Sequence, residues 1–284
     1  MKQYQIVAIT TLFGNTIVDN VVNNVILTLK IMNANSIPVY RGAHSSLVSE
    51  SLTDSYFGKD GLSNASYFYE TSHGQLQSEH AVNALVRLVK QFPERITILC
   101  MGPLTNIALA FLMEPNFFRL TKHIYILGGN VNAVGNVKPT AEFNFFLDPE
   151  ATRVVLKNAV CPVTIVPWET LKTHPLSWES YKKLTDLNTK KSVFFQQITK
   201  VLFDRKDPAL NGFGGGDFLL AATFFYPKII LGTERWMIDI ELNGFLTRGQ
   251  LVVDKRVVLP KGFIFVVKLN TEMLFYLYYR TLIH

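Results

Sequence analysis

A regular alternation of apolar and amphipathic segments between residues 79 and 166 constrains the fold more than any other feature of this sequence. Apolar residues recur every three or four positions through residues 79–92, which is typical of a helix with one buried face. Residues 96–101, 123–127 and 162–166 are short, mainly apolar runs, which predict strands buried on both faces. Strands separated by single helices form right-handed βαβ units. We therefore predict an α/β fold with a mostly parallel open sheet flanked by helices.

The segments outside this alternation are less regular. Residues 4–12 are rich in apolar and β-branched side chains and predict a buried strand, and residues 18–32 have the spacing of an amphipathic helix. Residues 42–77 are polar and without clear periodicity, so we predict a long loop region, which in proteins is either a functional lid or disordered. Aromatic stripes after Glu169, including Trp178, are interpreted as packing.

Composition predicts one domain over residues 1–284, because 48% of the 284 residues are hydrophobic and no Pro-, Gly- or Ser-rich linker divides them. The net charge of +6 is carried by scattered basic residues, so no nucleic-acid partner is expected. No run of about 18 uncharged apolar residues occurs. We therefore expect no membrane partner and favour a cytoplasmic location, while a homo-oligomer stays possible.

Ligands of open parallel sheets bind at the carboxyl ends of the strands. Several polar or glycine-containing positions follow predicted strands, so they should converge on one cleft. These positions are Asn15, Met101, Gly102, Gly128, Gly129, Asn130, Trp168 and Glu169.

The segment of residues 135–151 contains three side chains that can hydrogen-bond hydroxyl groups: Asn136, Glu142 and Asn144. It ends at Asp148-Pro149, where Asp is a natural helix N-cap and Pro suits the first helical position. One interpretation is a loop that holds a polyol. The other is a connection of solvated turn-forming residues.

This segment, with its Ala-Glu-Phe-Asn and Asp-Pro-Glu-Ala sequences, resembles the ribose-binding loop of the inosine-uridine preferring nucleoside hydrolases. Four other stretches match signatures of this family in the same order, so the resemblance covers nearly the whole chain. They are Ala-Ile-Thr-Thr-Leu-Phe-Gly-Asn at 8–15, Met-Gly-Pro-Leu-Thr-Asn at 101–106, Leu-Gly-Gly at 127–129, and the stretch from Gly216-Asp217 to Glu-Leu-Asn-Gly-Phe-Leu-Thr-Arg-Gly at 241–249.

The resemblance implies cleavage of the N-glycosidic bond of a small-molecule ribonucleoside, giving ribose and free base, with Ca²⁺ as cofactor. By motif match, the implied ribose contacts are Asn15, Asn136, Glu142 and Asn144. Phe143 is a candidate wall of the sugar site or a core anchor. The implied metal ligands are the carboxylate of Asp217 and the backbone carbonyl of Met101. Without the resemblance, Asp217 is better interpreted as a helix N-cap, and the resemblance favours a metal ligand.

The chain also departs from the family pattern. Family members open with a strand and an Asp-x-Asp-x-Gly-x-Asp-Asp motif, where this sequence has only Met1 to Gln5. We therefore expect the first strand, the general base and most carboxylate ligands of the metal to be missing. Gly216 stands where many members carry a histidine that protonates the leaving base. The catalytic residues are thus unassigned, with His44 and His73 in the long loop as weaker candidates.

Three functions are compatible with these residues. The first is a nucleoside hydrolase that is impaired in the chain as given. The second is a non-catalytic relative that binds ribose or nucleosides, or that acts as a partner-binding pseudoenzyme. The third is an unrelated Gly-loop cofactor binder, which is disfavoured because no Gly-x-Gly-x-x-Gly motif follows a strand.

Overall fold

The structure, a computed structural model, describes residues 4–49, 53–69, 74–256 and 262–283. Within these residues the chain forms nine strands and eleven α-helices. The strands are β1 (Ile9–Thr10), β2 (Val39–Tyr40), β3 (Leu76–Gln77), β4 (Thr97–Cys100), β5 (His123–Leu127), β6 (Val163–Val166), β7 (Ile230–Ile240), β8 (Leu251–Asp254) and β9 (Phe263–Leu269). The helices are α1 (Val18–Ile31), α2 (Ala81–Gln91), α3 (Thr105–Met113), α4 (Phe117–Leu120), α5 (Phe143–Leu147), α6 (Pro149–Asn158), α7 (Trp168–Thr173), α8 (Trp178–Thr185), α9 (Lys190–Arg205), α10 (Gly216–Phe225) and α11 (Thr271–Ile283).

The strands form two hydrogen-bonded sheets. The smaller sheet has the order β1-β2-β3 and is parallel, and the larger has the order β4-β5-β6-β9-β7-β8. In the larger sheet β4, β5, β6 and β9 are parallel, and β7 runs antiparallel to both β9 and β8. The predicted α/β class with a helix-flanked, mostly parallel sheet is confirmed.

Strand β5 shows why the central strands are apolar throughout. Ile124 and Ile126 belong to a core that contains side chains of α2, α3 and α6, whereas Tyr125 and Leu127 pack into a second core with side chains of α10 and α11. Successive side chains of a strand point to opposite faces, so both faces of the sheet are covered. None of the described helices has the length and apolarity needed to cross a lipid bilayer.

The predicted buried strand at residues 4–12 is wrong in length and burial. Only Ile9 and Thr10 pair, and they pair with β2 alone. Tyr4 is 44% exposed and Ile6 is 51% exposed. A short ladder on one side does not hold the upstream residues in the sheet, and the Tyr4 ring packs instead against Phe224, with 4.6 Å between the ring centroids.

The side chain of Asn106, at the start of α3, connects the two sheets. Its Nδ2 donates to the carbonyl of Thr11, which follows β1, and its Oδ1 accepts from the N–H of Ala43, which follows β2; both distances are 3.0 Å. Asn106 is 3% exposed. Both hydrogen bonds therefore form away from water, where an unpaired amide or carbonyl is costly.

Within the predicted long loop, residues 53–69 form a segment that we call the strap. It contains one 3-10 turn, Ala65–Phe68, and it is fixed from within by Asp60, whose carboxylate accepts hydrogen bonds from the N–H groups of Leu62, Asn64 and Ser66. Asn24 of α1 donates to the strap, and Ser63 of the strap donates to the carbonyl of Ile198 in α9. The strap thus spans from α1 to α9. Residues 50–52 and 70–73 of the predicted loop, with His73, lie outside the described residues.

The segment of residues 135–151 is more helical than predicted. Asp148 caps α6 as expected, with Oδ1 accepting the N–H of Ala151 at 3.0 Å and Pro149 in the first turn. The sequence pattern did not predict the short helix α5, which is capped by the Glu142 side chain. Five residues are too few to display a helical period.

We predict that Asn106→Ala lowers the free energy of unfolding by about 2–3 kcal/mol, because it leaves a buried carbonyl and a buried N–H without partners. Chemical denaturation followed by circular dichroism measures this change. Asn158→Ala removes an exposed amide that bonds only the carbonyl of Val154 in its own helix, so it should change stability by less than about 0.5 kcal/mol. Equal effects of the two substitutions would contradict the assigned role of Asn106.

Candidate active site

One cleft lies where the parallel strands end, and the residues of the predicted site meet there. Its lining includes all seven of them: Asn15, Met101, Asn136, Glu142, Phe143, Asn144 and Asp217. Gly128 and Trp168 also line it, as predicted from their positions after β5 and β6. The convergence expected from the parallel sheet is confirmed, while the chemical role of each residue stays a prediction.

Four other strand-end residues are not among those lining the cleft. They are Gly102, Gly129, Asn130 and Glu169, so the prediction that they line the cleft was wrong. The Asn130 amide is buried and donates to the carbonyl of Thr140. The Glu169 carboxylate accepts the N–H groups of Val131 and Asn132, so both side chains stabilise the loop after β5.

Glu142 is held entirely by backbone groups. One oxygen accepts the N–H of Asn144 and the other accepts those of Gly129 and Phe145, at 2.8–3.3 Å. Gly129 has φ +71°, a left-handed conformation that favours glycine, and this presents its N–H to the carboxylate. Burial raises the pKa of Glu142 to about 7, although the three N–H groups act to lower it. The Glu142 carboxyl group therefore gains or loses its proton near neutral pH.

Asn144 joins the ends of two adjacent strands. Its Nδ2 donates to the carbonyl of Leu127 at 3.0 Å and lies 3.5 Å from the carbonyl of Met101. Asn136 lies on the exposed part of the loop, and its Oδ1 accepts the N–H of Phe143 at 2.9 Å. Phe143 lines the cleft and also packs beside Phe13 and Leu147, as a core anchor does, while its role as a wall of the sugar site stays a prediction.

Asp54 in the strap is a site residue that the sequence pattern did not reveal. Both of its carboxylate oxygens lie near Nδ2 of Asn15, at 3.2 and 3.4 Å, and Oδ1 also accepts the N–H of Tyr56 at 2.9 Å. Because the Asn15 amide nitrogen is turned toward Asp54, its carbonyl oxygen is left to accept a hydrogen bond. Asp54 itself also lines the cleft.

Asp217 lies in the first turn of α10 and does not cap it, because the helix begins at Gly216 and its N-cap is Gly215. The N-cap interpretation of Asp217 is therefore wrong. Asp217 is exposed, and its side chain lines the cleft. Partial desolvation by the surrounding cleft walls raises the pKa of Asp217 to about 6.

The donors at the implied metal position do not fit a calcium ion. Ca²⁺ takes about six to eight oxygen ligands, whereas the site offers the Asp217 carboxylate and the Met101 carbonyl. No group of three or more His, Cys, Asp or Glu side chains that could hold a metal exists in the part of the chain that the structure describes. These donors therefore support no step of the reaction that depends on a metal.

A second wall of the cleft comes from the strap, from helices α7 to α9 and from the segment that follows α9. We call it the helix wall, and it consists of Tyr56, Phe57, Trp168, Leu171, Trp178, Leu202, Asp207 and Leu210. The interpretation of Trp178 as packing alone was therefore incomplete, since it packs in the core and also faces the cleft. His44 is not among the lining residues, and His73 is not described.

Comparison with known proteins identifies the family. The family model described as "Inosine-uridine preferring nucleoside hydrolase" matches residues 1–275. The chain belongs to the nucleoside hydrolase family. The inosine-uridine preferring nucleoside hydrolase of Leishmania major is 32% identical over 262 residues, covering 92% of this chain and 82% of the relative.

Two further nucleoside hydrolases show how far the likeness extends. The pyrimidine-specific ribonucleoside hydrolase RihA of Citrobacter koseri is 29% identical over 87% of this chain and 79% of its own length. The solved structure of an inosine-guanosine nucleoside hydrolase superposes with a TM-score of 0.88 at 26% identity, covering 99% of this chain and 91% of that one. These relatives differ in the base that they are named for, so family membership alone does not define the base.

We predict that Asp54 acts through Asn15. Asp54→Ala lets the Asn15 amide rotate and should weaken ribose binding by about 0.5–1.5 kcal/mol, the net value of one hydrogen bond. Calorimetry on Asp54→Ala, Asn15→Ala and the double variant measures their coupling. The double variant should bind no worse than Asn15→Ala, and strictly additive losses would show that the two residues act independently.

We also predict a pH dependence of stability from Glu142. Its pKa of about 7 in the folded protein exceeds the value of about 4.3 in an unfolded chain. As pH rises between these values, the unfolded chain releases the proton first, so the contribution of Glu142 to stability falls by about 3 kcal/mol and is lowest above pH 7. Urea unfolding from pH 4 to 8 should give a smaller decline for Glu142→Gln than for wild type. Identical slopes would refute the raised pKa.

Proposed function

We propose that the chain binds a ribonucleoside in this cleft and hydrolyses its N-glycosidic bond to ribose and free base. The observation that carries the proposal is the pairing of two unlike walls in one cleft. One wall presents amides and carboxylates from the strand ends and the strap, and the other is mainly aromatic and aliphatic. A polyol fits the first wall and a flat heterocycle fits the second.

The charges of the cleft agree with this chemistry. Four carboxylate side chains line it, Asp54, Glu142, Asp207 and Asp217, and the lining residues include no Lys, Arg or His. Cleavage of the ribose–base bond develops positive charge on the sugar, and nearby carboxylates stabilise such a charge. The same carboxylates repel a phosphate group, so nucleosides are favoured over nucleotides.

The reaction adds the hydroxyl of a water molecule to the anomeric carbon and transfers a proton to the departing base. A group whose pKa lies near the operating pH transfers protons most effectively. Desolvation raises the pKa of Glu142, which is buried, to about 7 and that of Asp217, which lines the cleft, to about 6. Because Glu142 is already occupied by three N–H groups, Asp217 is the better candidate for a direct contact with the water or the substrate.

A second candidate function is nucleoside binding without turnover. It is favoured by the absence of a metal-holding group of side chains from the described residues, since family members are generally metal-dependent. The two functions share the cleft and differ in whether bond cleavage follows binding.

The test combines binding with product release. Calorimetry with inosine and uridine should detect binding, and Asn144→Ala should weaken it by about 1–3 kcal/mol because buried polar partners are stranded. Asn158→Ala, which alters an exposed helix residue, should leave the affinity unchanged. Ribose release, assayed with and without calcium, then separates the two functions.

Ribose release that depends on Asn144 supports the hydrolase. Binding without release under either condition supports the second candidate. Full affinity in Asn144→Ala would exclude this cleft as the nucleoside site.

A further inference from the structure

In the helix wall, one hydrogen bond joins the strap to Asp207, which lies just after the end of α9. The hydroxyl of Tyr56 donates to Oδ2 of Asp207 at 2.8 Å. The other oxygen of Asp207 accepts the N–H of Ala209, also at 2.8 Å. The guanidinium of Arg205 lies over the Tyr56 ring, 4.4 Å from its centroid, and this cation–π contact helps to hold the ring in place.

Among the residues of the helix wall, only Tyr56 and Asp207 have side-chain oxygen atoms. The surrounding members are aromatic or aliphatic, namely Phe57, Trp168, Leu171, Trp178, Leu202 and Leu210. A hydroxyl donor next to a carboxylate acceptor in an otherwise apolar wall is a specific polar feature, because hydrogen bonds are strongest where water is excluded.

We propose that Tyr56 and Asp207 determine nucleobase specificity by binding the hydrogen-bonding edge of the base. This inference rests on the proposed nucleoside site and assigns its base-reading residues. An N–H of the base donates to Oδ2 of Asp207, and the Tyr56 hydroxyl turns from Asp207 to a neighbouring carbonyl oxygen or ring nitrogen of the base. One protein–protein hydrogen bond is exchanged for two protein–base hydrogen bonds. A base without an N–H donor on this edge cannot make the exchange.

The two groups hold the required donor and acceptor states. Burial and the hydrogen bond to Asp207 raise the pKa of Tyr56 to about 12, so the phenol keeps its proton at neutral pH. The Ala209 N–H occupies Oδ1 of Asp207 and thereby holds Oδ2 toward Tyr56. The hydrogen bond between Tyr56 and Asp207 also attaches the strap to the segment after α9 beside the cleft.

The test compares inosine with unsubstituted purine riboside, which has the same ribose but lacks the oxygen and the N–H of the hypoxanthine edge. Calorimetry gives the ratio of the two dissociation constants, which does not depend on turnover. Wild type should bind inosine at least about tenfold more tightly, a difference of about 1.4 kcal/mol. In Tyr56→Phe the donor is lost and the ratio should fall to about three or less.

Asp207→Asn provides a sharper change with nearly the same shape. The Ala209 N–H requires an acceptor, so it orients the amide oxygen toward itself and leaves the NH₂ group facing Tyr56 and the base. The carboxylate oxygen that accepts an N–H of the base in the wild type is then replaced by an NH₂ group, which can only donate. The preference for inosine should disappear or reverse, while the affinity for free ribose stays at the wild-type value.

Tyr69→Phe is the matched control. Tyr69 also joins the strap to α9, through a hydrogen bond to the Gln197 side chain, but it is not among the residues that line the cleft. It should leave the inosine to purine riboside ratio unchanged. If Tyr56→Phe and Asp207→Asn weaken both ligands equally and keep the ratio, the pair only supports the strap and the proposal is wrong.

The outcome is separable from that of the proposed hydrolysis. If both variants lose the preference for inosine over purine riboside, recognition of the base by Tyr56 and Asp207 is supported, even if no form of the protein releases ribose. Ribose release with an unchanged ratio in both variants overturns base reading and leaves the hydrolase function intact.

Discussion

The structure depends on the buried amide of Asn106, which holds the small parallel sheet against the larger mixed sheet. The three-stranded sheet contributes Asn15 to the cleft, and the six-stranded sheet contributes Met101 and Asn144 through its strand ends and the loop after β5. Within the described residues these two sheets share no ladder hydrogen bonds. Their relative position is therefore set by side-chain contacts, among which Asn106 satisfies one backbone group on each of two segments of the smaller sheet.

Backbone N–H groups determine the electrostatics on the strand-end side of the cleft. Glu142 accepts three of them and Asp148 accepts two, so these carboxylates hold the loop between β5 and α6 in place. Asp217 accepts none that the structure describes. Glu142 and Asp148 are therefore held by backbone groups, whereas Asp217 lines the cleft without such partners, and desolvation raises the pKa of both Glu142 and Asp217.

The strap contributes side chains to the opposite side of the cleft. It is not an unconstrained loop, since Asp60 fixes it internally and hydrogen bonds tie it to both α1 and α9. Two of the residues that it brings to the cleft, Asp54 and Tyr56, each bond a residue from a distant part of the chain. A rigid strap of this kind can present polar groups with a defined direction, which a flexible segment does not.

Sequence alone determined the fold class, the order of the central strands and helices, the cap at Asp148 and the convergence of Asn15, Met101, Glu142, Asn144 and Asp217. These features follow from local periodicity, from local capping chemistry and from the rule that parallel strands present their carboxyl ends on one side, and the inclusion of Asp217 follows from the family resemblance. Tertiary structure alone decided the contacts of Asn106, Asp54, Tyr56 and Asp207. The partner of Asp54 is 39 residues away and that of Tyr56 is 151 residues away, in segments without periodicity. Pairing over such separations is set by packing of the whole chain, which no local pattern encodes.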